Sequence, residues 1–157
     1  MTLAKEIRMK DEFESVRHEA LLNIVRTASF IGKISNTFFS KHHITEAQYN
    51  VLIVLKLESQ ALTQMEIGER LVTSRANMTS LVDKLEKKQY VTREEVKDDR
   101  RAYKIHLTDQ GKRLLDKVER AYVDKVEEIM TCISGAECKT ISRSLERLRT
   151  KLRESKI

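Results

Sequence analysis

Between about Glu12 and Phe39 the apolar residues return every three or four positions. Phe13, Val16, Ala20, Leu21, Ile24, Val25, Ala28, Ile31, Ile34 and Phe38 carry the repeat, which is the period of one long helix. Leu22, Phe30 and Phe39 widen the stripe beyond what a single packing face needs. A helix that packs on its own domain and also on a second subunit is expected to look like this. The pattern fades at Lys41-His42-His43, and residues 1 to 11 ahead of it read as a polar, frayed or loosely helical lead-in. Thr45 caps a second helix that runs through about Leu57, with Tyr49, Leu52, Val54 and Leu55 inside. At the other end of the chain Leu115, Val118, Tyr122, Val126, Ile129 and Ile133 form a heptad-like seam. Ser134-Gly135 breaks it, and a last helix repeats it with Cys138, Ile141, Leu145, Leu148 and Leu152. The remaining faces of that helix are basic.

The stretch from Thr63 to Thr108 is patterned differently. Thr63-Gln-Met-Glu66 is a capping box, in which hydroxyl and carboxylate each satisfy the other residue's amide. Ile67 and Leu71 give the short helix behind it an apolar side. The chain turns at Val72-Thr73-Ser74, and Ser74 is placed to cap a second helix. There Met78, Leu81, Val82 and Leu85 fall at helical spacing and predict a buried face. The opposite side carries Ala76, Asn77, Thr79, Ser80, Asp83, Lys84 and Lys87, with Arg75 near the start. Small hydrogen-bonding residues let a helix approach base edges closely, and lysines suit phosphates. Two strand-like runs follow, Tyr90 to Val96 and Ala102 to Leu107. In the second, Tyr103, Ile105 and Leu107 alternate with Lys104 and His106. Lys97-Asp98-Asp99-Arg100-Arg101 between them reads as a charged hairpin tip. Helix, turn, helix and charged hairpin together read as a winged helix-turn-helix.

At this point the chain resembles the MarR family of bacterial transcription regulators. The resemblance rests on the Leu-Val-Asp-x-Leu-Glu phrase at Leu81 to Glu86, on Asp99 to Arg101, and on Leu-Thr-x-x-Gly at Leu107 to Gly111. It covers about Glu12 to Lys156. Gln89 departs from the pattern, since many members have Gly there. A left-handed residue after the helix costs Gln about 1 kcal/mol, which favours a differently built cap. The resemblance implies a mainly α protein with a small β-wing. It implies one single chain, 1–157, with a DNA-binding part at about 45–108 and dimerisation helices at about 12–41 and 109–157. It also implies a short strand near Ala61-Leu62 that joins the wing.

The implied partner is double-stranded DNA, bound by a homodimer. Ser74, Arg75, Asn77, Thr79, Ser80 and Lys84 are the expected contacts from the helix, and Arg100 and Arg101 those from the wing. Arg101 would enter the minor groove, where narrow A·T-rich tracts concentrate negative potential. Asp99 would hold its guanidinium through a charge-assisted pair, and Arg100 would touch phosphate. The family also implies a pocket for a small aromatic or phenolic effector, and spacing along the helices offers Ile24, Phe38, Tyr49 and Leu115 as its expected wall residues.

Composition narrows the alternatives. The chain has 157 residues, no Pro, four Gly and 34% charged residues, which suits a helical protein. The formal charge of +6 is consistent with a polyanionic partner without requiring one. No apolar run approaches the roughly 18 residues of a membrane helix, and no signal-peptide core opens the chain, so a cytoplasmic setting is expected. Two cysteines, Cys132 and Cys138, raise a redox-responsive variant of the same regulator, but Cys138 sits in an apolar seam beside Glu137, which disfavours a thiolate. The four histidines have no metal-ligand spacing. There is no phosphate loop, nucleophile elbow or acid cluster, so neither an enzyme nor a cofactor is expected. A winged helix that binds protein instead of DNA remains the competing class. It would show an acidic or apolar recognition face, whereas this one is polar and basic.

Overall fold

Polar side chains set where the helices start. In the computed structural model, which describes residues 2–10, 13–58, 60–71, 75–96 and 99–155 and every side chain among them except those of Arg75, Asp99, Arg100 and Arg101, the elements run as follows. Helix α1 is Leu3–Glu6, α2 is Val16–Ser40 and α3 is Glu46–Leu57. Strand β1 (Leu62–Thr63) leads into α4 (Gln64–Leu71) and α5 (Arg75–Lys87). Strands β2 (Val91–Val96) and β3 (Asp99–Leu107) form the wing, and α6 (Asp109–Met130) and α7 (Gly135–Glu154) end the chain.

The Ser15 side chain accepts from the His18 amide, so α2 begins at Val16 and not near Glu12, a residue outside those described. Phe13 lies ahead of the helix with its ring edge-on to His18. Three capping boxes start α3, α4 and α7. Thr45 pairs with Gln48, Thr63 with Glu66 and Ser134 with Glu137. The last follows from Ser-x-x-Glu in the sequence, where only a break is expected from Ser134-Gly135. The lead-in is also more ordered than its polar composition suggests. Leu3 is buried, and Arg26 Nε donates to Glu6 Oε1 at 2.6 Å.

Three helices end through left-handed residues that are not glycine. Arg8 (φ 57°) follows α1, His43 (φ 57°) follows α2, and Gln89 (φ 59°) follows α5. The differently built cap expected at Gln89 is therefore not what forms. Gln89 N–H donates to Glu86 O at 2.8 Å and Tyr90 N–H to Leu85 O at 3.0 Å, the two bonds of a Schellman motif. Thr108 Oγ1 adds a bond to Gln89 O at 2.7 Å. These bonds offset the strain that Gly would avoid. At His43 the same pair of bonds runs to Ser40 and Phe39, and Lys88 Nζ donates to His43 O.

The sheet order is β1-β3-β2, all antiparallel. Strand β1 lies one residue later than expected from Ala61-Leu62, with Leu62 opposite Ile105. Strand β3 reaches back to Asp99, so Arg100 and Arg101 belong to a strand and not to a free tip; Lys97 and Asp98 lie outside the described residues. The core of this winged part is Val51, Leu52, Ile67, Met78, Val82, Leu85, Val91, Ile105 and Leu115, each at most 1% exposed. Burying each such side chain contributes about 1.5–3 kcal/mol. Met78, Val82 and Leu85 are the buried face read from the spacing, with Leu81 half-buried at its edge.

The chain divides into two compact units, one up to Asp116 and one from Lys117 onward. In the second unit α7 has no buried residue, and α6 ends at Met130, leaving Ile133 in the turn. Among the described residues no helix is long and apolar enough to cross a membrane.

The end of α5 and the start of α6 meet at Gly111. Thr108 N–H donates to Tyr90 O at 3.1 Å, and Thr108 Oγ1 accepts from Gly111 N–H at 3.0 Å. A Cβ on Gly111 would stand 2.3 Å from Tyr90 O, a backbone atom that cannot swing away. Gly111→Ala should therefore lower stability by ~2 kcal/mol, despite the better helix propensity of Ala; chemical denaturation checks this.

A second prediction concerns pH. The Thr63 backbone amide, and then its hydroxyl, hold the Glu66 carboxylate below its ordinary pKa of 4.5. The Ser134 hydroxyl and then its amide do the same for Glu137. A depressed carboxylate stabilises the fold above the unfolded pKa, and that contribution is lost as pH falls through the folded one. The α3 box uses the uncharged Gln48. Amide-exchange protection at Thr63 and Ser134 should therefore fall as the pH drops below the ordinary carboxylate pKa of 4.5, while that at Thr45 should hold.

Candidate nucleic-acid interface

Helix α5 presents two neighbouring stripes outside its buried face. Asn77, Ser80, Lys84 and Lys87 make the outer one, and all are exposed. Thr79, Asp83 and Glu86 make the inner one, which turns toward α4 and β2. Here Arg93 of β2 is the hub. Its Nη1 donates to Glu86 Oε2 at 2.6 Å and its Nη2 to Asp83 Oδ1 at 2.5 Å. The Arg93 side chain is only 20% exposed, so this pair of bonds is shielded in part from solvent. The Leu-Val-Asp-x-Leu-Glu phrase thus has a physical reason: its two acids, one helical turn apart, receive one arginine from the wing strand. Asp83, read from spacing as part of the DNA-facing side, serves this clamp instead.

Gln64, the first residue of α4, completes the cluster. Its amide lies 3.1 Å from Thr79 Oγ1. With the nitrogen turned to Thr79, its oxygen accepts from Arg93 Nη2 at 3.1 Å and from Nε at 3.3 Å. Only that orientation satisfies both ends of the amide. Thr79 therefore sits at the border of the outer surface with its hydroxyl engaged by α4.

The wing supplies the second candidate surface. Glu95 pairs with Tyr103 but Val96 pairs with Asp99, and the register shifts between them. Arg100, Arg101 and Ala102 fall inside that irregularity. A bulge of this kind re-aims the residues it contains and increases local twist. Exposed Lys104 stands opposite Glu94, and His106 Nε2 lies 2.6 Å from Glu94 Oε2.

Of the expected DNA contacts, Asn77, Thr79, Ser80 and Lys84 are thus brought together on the exposed side of one helix. Arg75 starts that helix and Arg100 and Arg101 lie on β3. Ser74 lies outside the described residues. Sequence reading missed Arg93 and Gln64, which meet each other across two elements far apart in the chain.

The expected effector residues differ in their surroundings. Tyr49 and Leu115 are buried. The Tyr49 ring packs on Phe39 at 4.8 Å, which in turn meets Phe38 edge-on at 5.1 Å. Ile24 is 38% exposed on α2. One cavity, of about 410 Å³, is lined by Leu55, Lys56, Ala61, His106, Lys112 and Asp116 among others. Another, of about 370 Å³, lies between α1 and α2 beside Leu3, Val25 and Phe30. None of the four residues lines either. Cys132 is exposed and Cys138 half-buried, both as free thiols. Among the described residues no group of three His, Cys, Asp or Glu side chains is placed to hold a metal ion.

A helix pair with an exposed polar and basic second helix, clamped to a bulged β-wing, is a winged helix-turn-helix. Residues 42–102 match the sequence model of the MarR family. The chain is 30% identical over 131 residues to the HTH-type transcriptional regulator PapX of Escherichia coli, covering 82% of this chain and 80% of that one. It belongs to the MarR family of transcription regulators. The fold is also that of the S. aureus MepR–DNA complex, at TM-score 0.75 and 20% identity over 90% of this chain and 99% of that one. It is likewise that of CouR from Rhodococcus jostii RHA1 bound to p-coumaroyl-CoA, at TM-score 0.74 and 16% identity over 87% and 95%.

Proposed function

We propose that this regulator is a cytoplasmic repressor that binds a pseudo-palindromic operator as a homodimer and is released by a small-molecule effector. The observation that carries the DNA reading is the outer stripe of α5, where Asn77, Ser80, Lys84 and Lys87 are exposed beside a wing bearing Arg100 and Arg101. Asn77 and Ser80 have the chemistry to read base edges in the major groove, and the lysines to neutralise phosphate. Arg101 reaches the adjacent minor groove with Asp99 holding its direction, and Arg100 meets the backbone. Arg75 starts the helix, where recognition helices approach the bases first, and Ser74 precedes it in the sequence.

The dimer is supported by apolar surface that one chain leaves uncovered. On α2, Leu21, Val25, Phe30 and Ile31 are 47–59% exposed. In the second unit Val123, Ile141 and Leu152 are 43–55% exposed. Scattered single residues of this kind are ordinary, but rows of them at helical spacing are the mark of an interface. An effector acts only by binding more tightly to the dimer state whose helix spacing misfits the operator. The ligand in CouR, an aromatic acyl thioester, supports an aromatic acid derivative as the effector class.

Two outcomes are expected. Light scattering should give a dimer at micromolar concentration, and a stable monomer there would refute the assembly. Arg101→Ala should weaken operator binding by ~1–3 kcal/mol, or roughly 5- to 150-fold, in anisotropy titrations at fixed salt. Unchanged affinity would remove the wing from the interface.

A further inference from the structure

Side chains along a strand alternate between its two faces, and residues paired across an antiparallel ladder share a face. In the wing Val91 pairs with Leu107, Arg93 with Ile105 and Glu95 with Tyr103, so these residues lie on one face. Its direction is fixed by two of them. Ile105 is fully buried, and Arg93 bonds Asp83 and Glu86 of α5. The face therefore turns toward the recognition helix. Tyr103 is the next residue of that face along β3, closer than Ile105 to the turn between the two strands. It is 36% exposed, so it stands where the buried core has ended.

The chemistry of the position is specific. Glu95 lies directly across the ladder, and a lysine in place of Tyr103 would be drawn into a cross-strand ion pair with it. Tyrosine carries no charge to be neutralised and keeps a hydroxyl donor. Duplex geometry supplies an acceptor. A helix in the major groove and a wing in the adjoining minor groove are separated by one sugar–phosphate strand. A residue beyond the core, on the wing face that looks at the helix, lies over that strand.

We propose that Tyr103 is a backbone-contacting residue of the DNA interface: its hydroxyl donates to a phosphate of the strand between the two grooves, with its ring against the neighbouring deoxyribose. The proposal rests on the reading of α5 and the wing as the DNA-binding surface. Contacts of this kind fix the position of a protein on the duplex and carry no base information. Tyr103 thus sets how firmly the wing is seated and leaves the choice of bases to α5.

The test uses a duplex that the wild-type protein selects from a random pool, titrated by anisotropy with wild type, Tyr103→Phe and Tyr103→Ala, with thermal unfolding on each. Tyr103→Phe removes only the hydroxyl and should weaken binding roughly three- to tenfold. Tyr103→Ala removes the ring as well and should weaken it further. The salt slope should stay at its wild-type value, since tyrosine releases no counterion, and the selected base profile should not change. The decisive arm replaces single phosphates between the grooves by uncharged methylphosphonates. At one position in each half-site the replacement should weaken wild type more than Tyr103→Phe by that same factor, because two changes that remove one contact are not additive. Wild-type affinity in Tyr103→Phe would overturn the proposal. So would equal losses for both proteins at every methylphosphonate position, or a loss that comes with a lowered unfolding midpoint and makes Tyr103 a fold-stabilising residue only. A changed base profile would overturn it too, by making Tyr103 a reader of bases. Failure of the wild-type protein to enrich any duplex would instead refute the DNA-binding reading beneath it.

Discussion

The reading head of this protein depends on one guanidinium. Arg93 stands on the wing strand and bonds two carboxylates of the recognition helix, Asp83 and Glu86. Arginine suits the task because its planar fork offers several donors in fixed directions; lysine, as a flexible point charge, would satisfy one acceptor at a time. Truncating it would leave two carboxylates one turn apart with no shared counter-ion, which is costlier than the loss of a surface pair. The consequence is mechanical. Helix and wing, the two parts proposed to meet DNA, are held in a fixed relation by the protein itself, which reduces the ordering that binding would require.

A second constraint fixes where that head stands on the chain. The Schellman turn after α5 points Tyr90 O at the first turn of α6, where Thr108 N–H donates to it and Gly111 leaves room for it. Because a Cβ at Gly111 would fall 2.3 Å from that oxygen, the approach is available to glycine alone. The Leu-Thr-x-x-Gly phrase is thus a docking device joining recognition helix, wing and α6. Lys88 performs a similar service at the other side by bonding the His43 carbonyl at the end of α2.

Much of the fold was legible in the sequence because it rests on local rules. The Thr45 cap, the Thr63–Glu66 box and the buried face of α5 all involve partners within four positions, and each formed as its spacing requires; the alternation in β3 holds at Ile105, which is buried, while Tyr103 is exposed. The elements that were misread depend on distant partners. Arg93 looks like any strand arginine until Asp83 and Glu86 are seen beside it. Leu3 looks like part of a polar tail until it is found buried, and Gln89 looks unsuited to a left-handed turn until Thr108 is found bonding its carbonyl. At the candidate site, Asn77, Ser80 and Lys84 could be named from helical spacing. Gln64 could not, since it belongs to another helix and meets a side chain 15 positions on. The effector residues were chosen by spacing too, and the structure sets Tyr49 and Leu115 in the core with Ile24 on the surface.

The central claim, that recognition helix and wing read DNA as one clamped unit in a dimer, is tested most directly by a nucleotide-resolution footprint on a selected operator. Guanine-N7 methylation interference would report the major groove, and hydroxyl-radical cleavage the minor groove and backbone. The account predicts two major-groove patches centred about one helical turn apart, each with an adjoining minor-groove patch at fixed distance from the wing. A single patch, or major-groove contacts with no minor-groove protection beside them, would contradict it.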